Sequence, residues 1–495
     1  MTNTPLRLFN SLTRQLETFD HPLPYTAKVY TCGPTVYNYQ HIGNMRAYVF
    51  ADTLGRALRF KGYDLKHVIN ITDVGHLTSD ADAGDDKMEK AAAAQGKTAW
   101  DIAKFYQADF EADLSRLNIR PTEHPRATDY VGAMIDWATS IADKHCYVLD
   151  SGLYFDTSTV PGYGALARAN TDDGQSRIDP VPGKRQATDF AIWRTTPPGE
   201  TRQMEWDSPW GRGAPGWHLE CSVMSGAILG FPFDIHTGGI DHREIHHPCE
   251  IAQNQAHESN ADSGARIWMH NNFLIDRRGK MSKSSGEFLR LQTLIDKGFH
   301  PLAYRMMCLQ AHYRSEMEFT WEGLAAAQTR LKRLVSAIIK LRGRASALDE
   351  KLISDPRVAS DLEVFDQSVS EDLATSLALV SVESVAWAAV ETLEHYFKGN
   401  DDQIAKLSAN RLAAINAMDS VLGLQLDTLT RLDFRIRPAS ATLTETDIEA
   451  RLTERKTARA ARDFATSDRI RDDLIAQGVD VMDGDPLGWD WKLDI

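Results

Sequence analysis

The run Lys28-Val29-Tyr30-Thr31-Cys32, closed by Gly33-Pro34, constrains the fold more than any other part of the sequence. It reads as a short strand ending in a turn. A helical pattern follows, with Ala47, Phe50, Leu54 and Leu58 near one face and Gly62 as its stop. A second strand comes next, Leu65-Lys66-His67-Val68-Ile69-Asn70. A parallel partner needs a long crossover, usually a helix, so strand, helix, strand is the seed of a parallel sheet. The pattern returns at Phe233-Asp234-Ile235-His236-Thr237, followed by Gly238-Gly239. The expected class is therefore α/β.

Between the two parallel stretches the pattern changes. Residues 98–145 read as helices broken at Pro121 and Pro125. Cys146–Leu149, a turn at Asp150-Ser151-Gly152, and Leu153–Phe155 read as a hairpin. The stretch to about residue 205 is rich in Gly, Pro and Asp, so residues 123–204 are expected to form an insertion. The sheet-bearing domain then spans 20–122 and 205–255, with a linking segment over 256–320. Apolar residues at helical spacing (Leu331, Leu334, Ile338, Leu341) predict an α-helical bundle over 321–435. A linker around Pro438 leads to a small C-terminal α+β module, 440–495. The chain has 495 residues, too many for one hydrophobic core.

Hydrophobic residues make up 42% and charged residues 25%, as in ordinary globular chains. No run of about 18 apolar residues exists, and the N-terminal stretch lacks an apolar signal core, so no membrane association and a cytoplasmic location are expected. The five cysteines, Cys32, Cys146, Cys221, Cys249 and Cys308, are few and scattered, which suits a reducing compartment and leaves thiols free to hold metal. A net charge of −14 argues against a general nucleic-acid coat, though not against a local basic surface.

Two short motifs carry phosphate chemistry. His41-Ile42-Gly43-Asn44 opens the helix after the first strand, where unpaired N–H groups and the positive dipole end suit polyphosphate. Gly43 admits a close approach, and His41 can donate to a phosphate oxygen. An ordinary helix-capping histidine is the competing reading. Lys280-Met281-Ser282-Lys283-Ser284 puts two lysines on a Gly/Ser-rich stretch that can cover a triphosphate and neutralise the leaving pyrophosphate, unless it is simply a solvated basic loop. In this order, separated by the return of the sheet, HIGN and KMSKS resemble the two signature motifs of class I aminoacyl-tRNA synthetases. The resemblance implies a Rossmann-type catalytic domain with an inserted connective domain. It implies His41, Lys280 and Lys283 as catalytic, and an ATP site made of His41, Gly43, Asn44, Gly239, Asp241, Lys280, Ser282 and Lys283. The family's first motif usually ends in His where this chain has Asn44, which still supplies an N–H donor. The family's loop at Gly238-Gly239 is usually richer in Gly than here, where Thr237 and Ile240 flank it. His236, on the same strand end, is expected to help hold the adenosine.

A third constellation involves donors suited to metal. Cys32 ends the first strand, where open α/β sheets bind ligands. Cys221 lies in Gly216-Trp217-His218-Leu219-Glu220-Cys221. His246 and Glu250 flank Pro248, which is expected to start a helix and leave His246 just outside it. Two thiols, an imidazole and a carboxylate suit zinc, but spacing alone equally fits buried structural cysteines. The strings TCGPTVYNYQHIGN, NITD at Asn70–Asp73, GWHLECS, FDIHTGG and HHPCEIAQ together resemble cysteinyl-tRNA synthetases from the N-terminus to the last residues. That resemblance implies one zinc ion per chain on Cys32, Cys221, His246 and Glu250. Substrate contacts are expected from Gly33, Thr35 and Thr72, Trp217 reads either as a wall of the amino-acid pocket or as a plain core tryptophan, and Mg2+ is expected to come with ATP. Serine differs from cysteine by one atom, which an apolar pocket discriminates poorly, whereas zinc prefers thiolate. Cys249 is read as a non-ligand and His247 as an undecided neighbour.

The last module carries Arg451, Arg455, Lys456, Arg459, Arg462, Arg469 and Arg471, interleaved with Glu454, Asp463 and Asp468. It reads as a phosphate-binding stripe or a solvated helix face. Trp489 and Trp491 are expected to stack on unpaired bases. The run RKTARAARDFATSDRIRDDL resembles the anticodon-recognition domain of the same family. The implied activity is ATP-dependent ligation of L-cysteine to tRNA(Cys), by a monomer if the family tendency holds. Two alternatives remain at this level: a ligase joining cysteine to a small amine, resembling mycothiol ligase, and a non-catalytic zinc- and nucleotide-binding RNA-binding module.

Overall fold

The computed structural model describes residues 4–75, 87–120, 123–167, 181–260, 263–276, 279–280, 289–345, 356–396 and 401–495. Four parallel strands organise the catalytic half: β1 (Thr26–Thr31), β2 (Asp64–Ile69), β3 (Phe233–Gly239) and β4 (Ala265–Asn271). Their spatial order is β4-β3-β1-β2, so β1 and β3 are central and Thr31 pairs with both Ile69 and Thr237. The crossover between β1 and β2 is α1 (Ile42–Phe60). Adjacent strand residues point to opposite faces. Val29, Ile69 and Met269 join the core shared with α1 and the helical half, while Tyr30, Val68 and Trp268 join a second core on the other face. Both faces are thus covered, as parallel sheets require.

Between β2 and β3 lie the helices Ala99–Arg116 and Val131–His145 and an antiparallel sheet of Cys146–Leu149, Gly152–Phe155, Phe190–Thr195 and Gly213–Pro215. The expected hairpin is the first pair of this sheet. Asp73 ties the end of β2 to this part of the chain, accepting from the Thr128 amide (2.9 Å) and hydroxyl (2.6 Å). Two helices then frame the site, α2 (Trp217–Leu229) before β3 and α3 (His246–Glu258) after it.

The helical half comprises α4 (Pro301–Leu309), α5 (Trp321–Arg342), α6 (Pro356–Ser370), α7 (Thr375–Tyr396) and α8 (Asp401–Leu422). It is bolted to the sheet domain through α4. The fully buried Arg305 donates to Asp52 of α1 (2.6 Å) and to the carbonyls of Leu422 (2.7 Å) and Leu117 (3.0 Å). Tyr304 donates its hydroxyl to the Ile42 carbonyl (2.5 Å) at the start of α1. Burial opposes ionisation of Asp52, yet Arg305 and Arg56 hold its carboxyl below the usual range. Among the described residues no helix is long and apolar enough to cross a membrane.

The last part is a small α+β unit: α9 (Glu445–Ala460), α10 (Phe464–Ala476), and the antiparallel pair β5 (Val479–Val481) and β6 (Trp489–Trp491). Here one expectation is overturned. Trp489 and Trp491 are 1% and 5% exposed and form this unit's core with Ile448, Leu474 and Val479. They flank Asp490 on β6 and so share one face of the strand, which is the inner one. The Trp489 indole donates to Glu449 (2.6 Å), so neither ring presents a face for base stacking. The basic stripe is partly spent internally as well: Arg455 is buried in a two-bond pair with Asp483 (2.6 and 2.8 Å), which Arg459 also approaches at 3.3 Å.

Candidate metal and nucleotide site

The site lies at the C-terminal ends of β1 and β3. His41 caps α1 in an extended conformation, with its ring Nδ1 accepting from the Asn44 amide (3.2 Å). A neutral ring then carries its proton on Nε2. Capping and phosphate donation are therefore compatible, one nitrogen for each. Gly43 is required by this pose, because a Cβ there would sit 2.9 Å from the His41 ring. The amide of Ile42 is tied to the Leu289 carbonyl (2.9 Å). Lys280 lies on the two-residue strand Gly279–Lys280, paired antiparallel with Leu274–Asp276. Ser282 and Lys283 lie outside the described residues.

After Thr31 the chain turns sharply. The Gly33 amide donates to the Asn70 side chain (2.7 Å), and a Cβ at Gly33 would fall 1.5 Å from the Asn70 carbonyl oxygen. Thr35 and Thr72 extend the β1–β2 pairing as an isolated parallel bridge. The Thr72 hydroxyl donates to Glu220 (3.0 Å) on α2. Burial pushes the Glu220 carboxyl up to about 8. Gly239 has open space where a Cβ would stand, and its amide donates to His242 (3.1 Å); Asp241 follows on the short helix Ile240–Glu244.

Cys32, Cys221, His246 and Glu250, all buried, bring one donor atom each to within 4.8 Å of one another. They come from the end of β1, from α2 and twice from α3. His246 Nε2 stands 3.4 Å from Cys221 Sγ and 3.1 Å from Glu250 Oε1, and Cys32 Sγ is 3.9 Å from that oxygen. Bond lengths of about 2.3 Å for sulfur and about 2.0–2.1 Å for nitrogen and oxygen give tetrahedral edges of roughly 3.3–3.8 Å. The three measured edges, 3.1, 3.4 and 3.9 Å, lie within a few tenths of an ångström of those a zinc-sized ion asks for. α3 begins at His246 rather than at Pro248, which is how His246 and Glu250 come to share one helix face. Pro248 is tolerated there because the first-turn amides have no helical partner.

The electrostatics of the cluster are those of a cation site. Burial opposes ionisation of Glu250, yet His236 and His246 hold its carboxyl at about 2. Burial likewise opposes protonation of His246, but Cys221 and Glu250 raise it to about 10. The Cys32 thiol, donating to Cys221, brings the latter down to about 7. Positive charge is thus drawn to the point where the four donors converge.

Of the histidines around this point, His218 and His270 carry no signal of their own in the sequence, while His236 and His247 stand out there without these contacts. His218 Nδ1 lies 2.8 Å from His246 Nδ1. His236, expected at the adenosine, is fully buried and reaches Glu250 Oε2 (3.0 Å) instead. Its position on a central strand turns its ring under the sheet end toward α3. His247 Nε2 is 3.3 Å from Cys32 Sγ, and its Nδ1 is 2.8 Å from His270 Nε2. Cys32, His236, His247 and Glu250 form a second compact donor set that shares two members with the first. Cys249 is in neither set; its thiol lies 3.5 Å from the Tyr163 hydroxyl. Trp217, half-buried at the start of α2, sits 4.5 Å from the His246 ring.

Comparison with known proteins agrees with this geometry. Residues 19–329 match the family described as tRNA synthetases class I (C) catalytic domain. The chain is 63% identical to the cysteine–tRNA ligase of Novosphingobium aromaticivorans, over 99% of this chain and 98% of that relative. It is 50% identical to that of Zymomonas mobilis, again over 99% and 98%. Among solved structures it resembles Mycobacterium tuberculosis methionyl-tRNA synthetase in complex with methionyl-adenylate. There the TM-score is 0.55 at 14% identity, covering 82% of this chain and 92% of that one, a likeness of fold. A parallel sheet carrying HIGN at its first crossover, a buried thiol–imidazole–carboxylate cluster, and full-length identity of this order make the chain a member of the cysteine–tRNA ligase family of class I tRNA synthetases.

Proposed function

We propose that the protein activates L-cysteine with ATP, forming cysteinyl-adenylate and pyrophosphate, and then transfers cysteine to the 3′-terminal adenosine of tRNA(Cys). The observation that carries the substrate assignment is the convergence of Cys32, Cys221, His246 and Glu250 at the strand ends. These four residues would hold one Zn2+, which would supply a thiophilic Lewis acid for the substrate sulfur as thiolate. Four protein donors usually make a closed site. Glu250, whose Oε2 is bonded to His236 (3.0 Å), would be the donor best placed to leave room for the substrate sulfur. Trp217, Gly33, Thr35 and Thr72 wall the amino acid and hold its carboxylate toward the α-phosphate. Its attack there releases pyrophosphate.

His41 donates from Nε2 to the phosphate as charge develops, and Lys280 and Lys283 neutralise the leaving pyrophosphate, which Mg2+ accompanies as part of ATP. Gly43, Asn44, Ser282, Gly239 and Asp241 seat the nucleotide. Rate enhancement comes from positioning and electrostatics, without a covalent enzyme intermediate. The helical half and the C-terminal unit hold the tRNA, and the reaction is placed in the cytoplasm.

Cysteine-dependent ATP–pyrophosphate exchange tests this reading, with serine as competitor and Cys221→Ala as control. Strong preference for cysteine and near-complete loss in the variant are expected. Equal exchange with serine overturns the thiolate account. Charging of a tRNA(Cys) transcript separates tRNA transfer from ligation to a small amine.

A further inference from the structure

With Trp489 and Trp491 buried, a different tryptophan stands open on the RNA-proposed half. Trp387 of α7 is 43% exposed and lines a cleft of about 520 Å³. α5 contributes Lys332, Arg333 and Lys340, the segment after α8 contributes Arg431, and the C-terminal unit contributes Asp490. Four cations face one carboxylate, in a chain whose net charge is −14. Lys332 is paired with Asp490 (2.7 Å) and Arg431 with Asp485 (2.7 Å). Those two pairs bind the C-terminal unit to the bundle. Arg333 and Lys340 are exposed and have no hydrogen-bond or ion-pair partner among the described residues. They stand seven residues apart, about two turns along the same face of α5.

We propose that this cleft binds the phosphodiester backbone and one unpaired base of the tRNA, away from its 3′ end. Arg333 and Lys340 take phosphates and Trp387 takes the base face. The chemistry asks for an occupant that is both polyanionic and planar. A free anion leaves the indole unused, and an apolar ligand leaves two unpartnered cations unused. Single-stranded nucleic acid uses both, through phosphate neutralisation and base stacking on an aromatic ring. The cleft is walled by the bundle and the C-terminal unit, and none of its lining comes from the parallel sheet where the 3′ end must react. This inference rests on the reading of tRNA as substrate and names where the bundle grips it.

The test uses the full chain, its zinc loaded, and a tRNA(Cys) transcript as the probe. Trp387→Ala, Trp387→Phe and the double variant Arg333→Gln/Lys340→Gln are compared with the wild type for tRNA affinity across a salt series and for ATP–pyrophosphate exchange. Trp387→Ala is expected to weaken tRNA binding by about 5- to 150-fold, the range for losing one base–aromatic stack. Trp387→Phe restores most of it. The double variant lowers the slope of log affinity against log salt by about 1.4–1.8, for two phosphates lost. Exchange stays at the wild-type level in all three. Wild-type tRNA affinity and salt slope in both Trp387→Ala and the double variant overturn the proposal. A parallel loss of exchange also overturns it, because the cleft then acts through stability. Absence of cysteine-dependent exchange in the wild type condemns the functional reading instead, and so is told apart.

Discussion

Replacing His218 by leucine removes the hydrogen bond it makes with His246 in the donor cluster. His246 turns Nε2 toward Cys221 and Glu250, so its Nδ1 carries the proton when Nε2 donates to a cation. Among the described residues that proton meets His218 Nδ1 at 2.8 Å. The second imidazole is buried against Phe190, at a 5.5 Å ring separation. Leucine preserves volume and removes the acceptor. Leaving a buried N–H unpaired costs about 1–3 kcal/mol, and loss of an outer partner of a metal-ligating histidine weakens metal binding by about 10–100-fold. The two figures agree, since 10–100-fold is about 1.4–2.7 kcal/mol. Zinc affinity measured by competition with a chromogenic chelator should fall by that factor in His218→Leu. His218→Asn, whose side-chain oxygen can stand near the lost nitrogen, should recover part of it. Wild-type zinc affinity in His218→Leu, with the fold intact by circular dichroism, would refute the orienting role and the tautomer assigned to His246.

Gly33→Ala should not give a stable protein, because its Cβ falls 1.5 Å from the Asn70 carbonyl oxygen, a backbone atom just past the end of β2 that cannot swing aside as a side chain would. A loss of at least about 3 kcal/mol is expected in urea unfolding, and a loss under about 1 kcal/mol would mean that the turn relaxes freely. Asp113 offers a pH test. Burial first, and Asp109 second, push its carboxyl up to about 6, although Arg116 pairs with it at 3.1 Å. The folded state therefore binds the proton more tightly than the unfolded chain, so stability falls as pH rises from about 4 through about 6 and the penalty is fully present at pH 7. Asp113→Asn should remove that slope and gain up to about 2 kcal/mol at pH 7 in denaturant titrations. An unchanged pH slope refutes the assignment.

The strand–helix–strand seed was legible because β1, α1 and β2 each satisfy their own period and their stop signals agree with it. Three of the four donors announced themselves by place, Cys32 at a strand end and His246 and Glu250 four residues apart around Pro248. Cys221 and the joint convergence of all four needed family resemblance, since contact across sheet and helix is a tertiary fact. The contacts among the surrounding histidines were hidden for the same reason, since His218, His236, His247 and His270 belong to four different elements. The error over Trp489 and Trp491 was avoidable. Their spacing of two, with Asp490 between them, is the signature of a strand with one buried face. Trp387 carries no such sequence signal, because a tryptophan among the helical heptads of α7 looks like core until its neighbours are known.

The donor cluster also sets a timetable for synthesis. Cys32 precedes Glu250 by 218 residues. At about 5–20 residues per second, the first thiol waits roughly 10–40 s on the ribosome before its last companion is made. During that interval it has no set of four to hide in, and the insertion must be translated and packed beside it. The four-donor cluster is therefore complete only once the whole catalytic half has been made. On the proposed function, a chain that stalls before Glu250 carries Cys32 without the full set of donors it later joins.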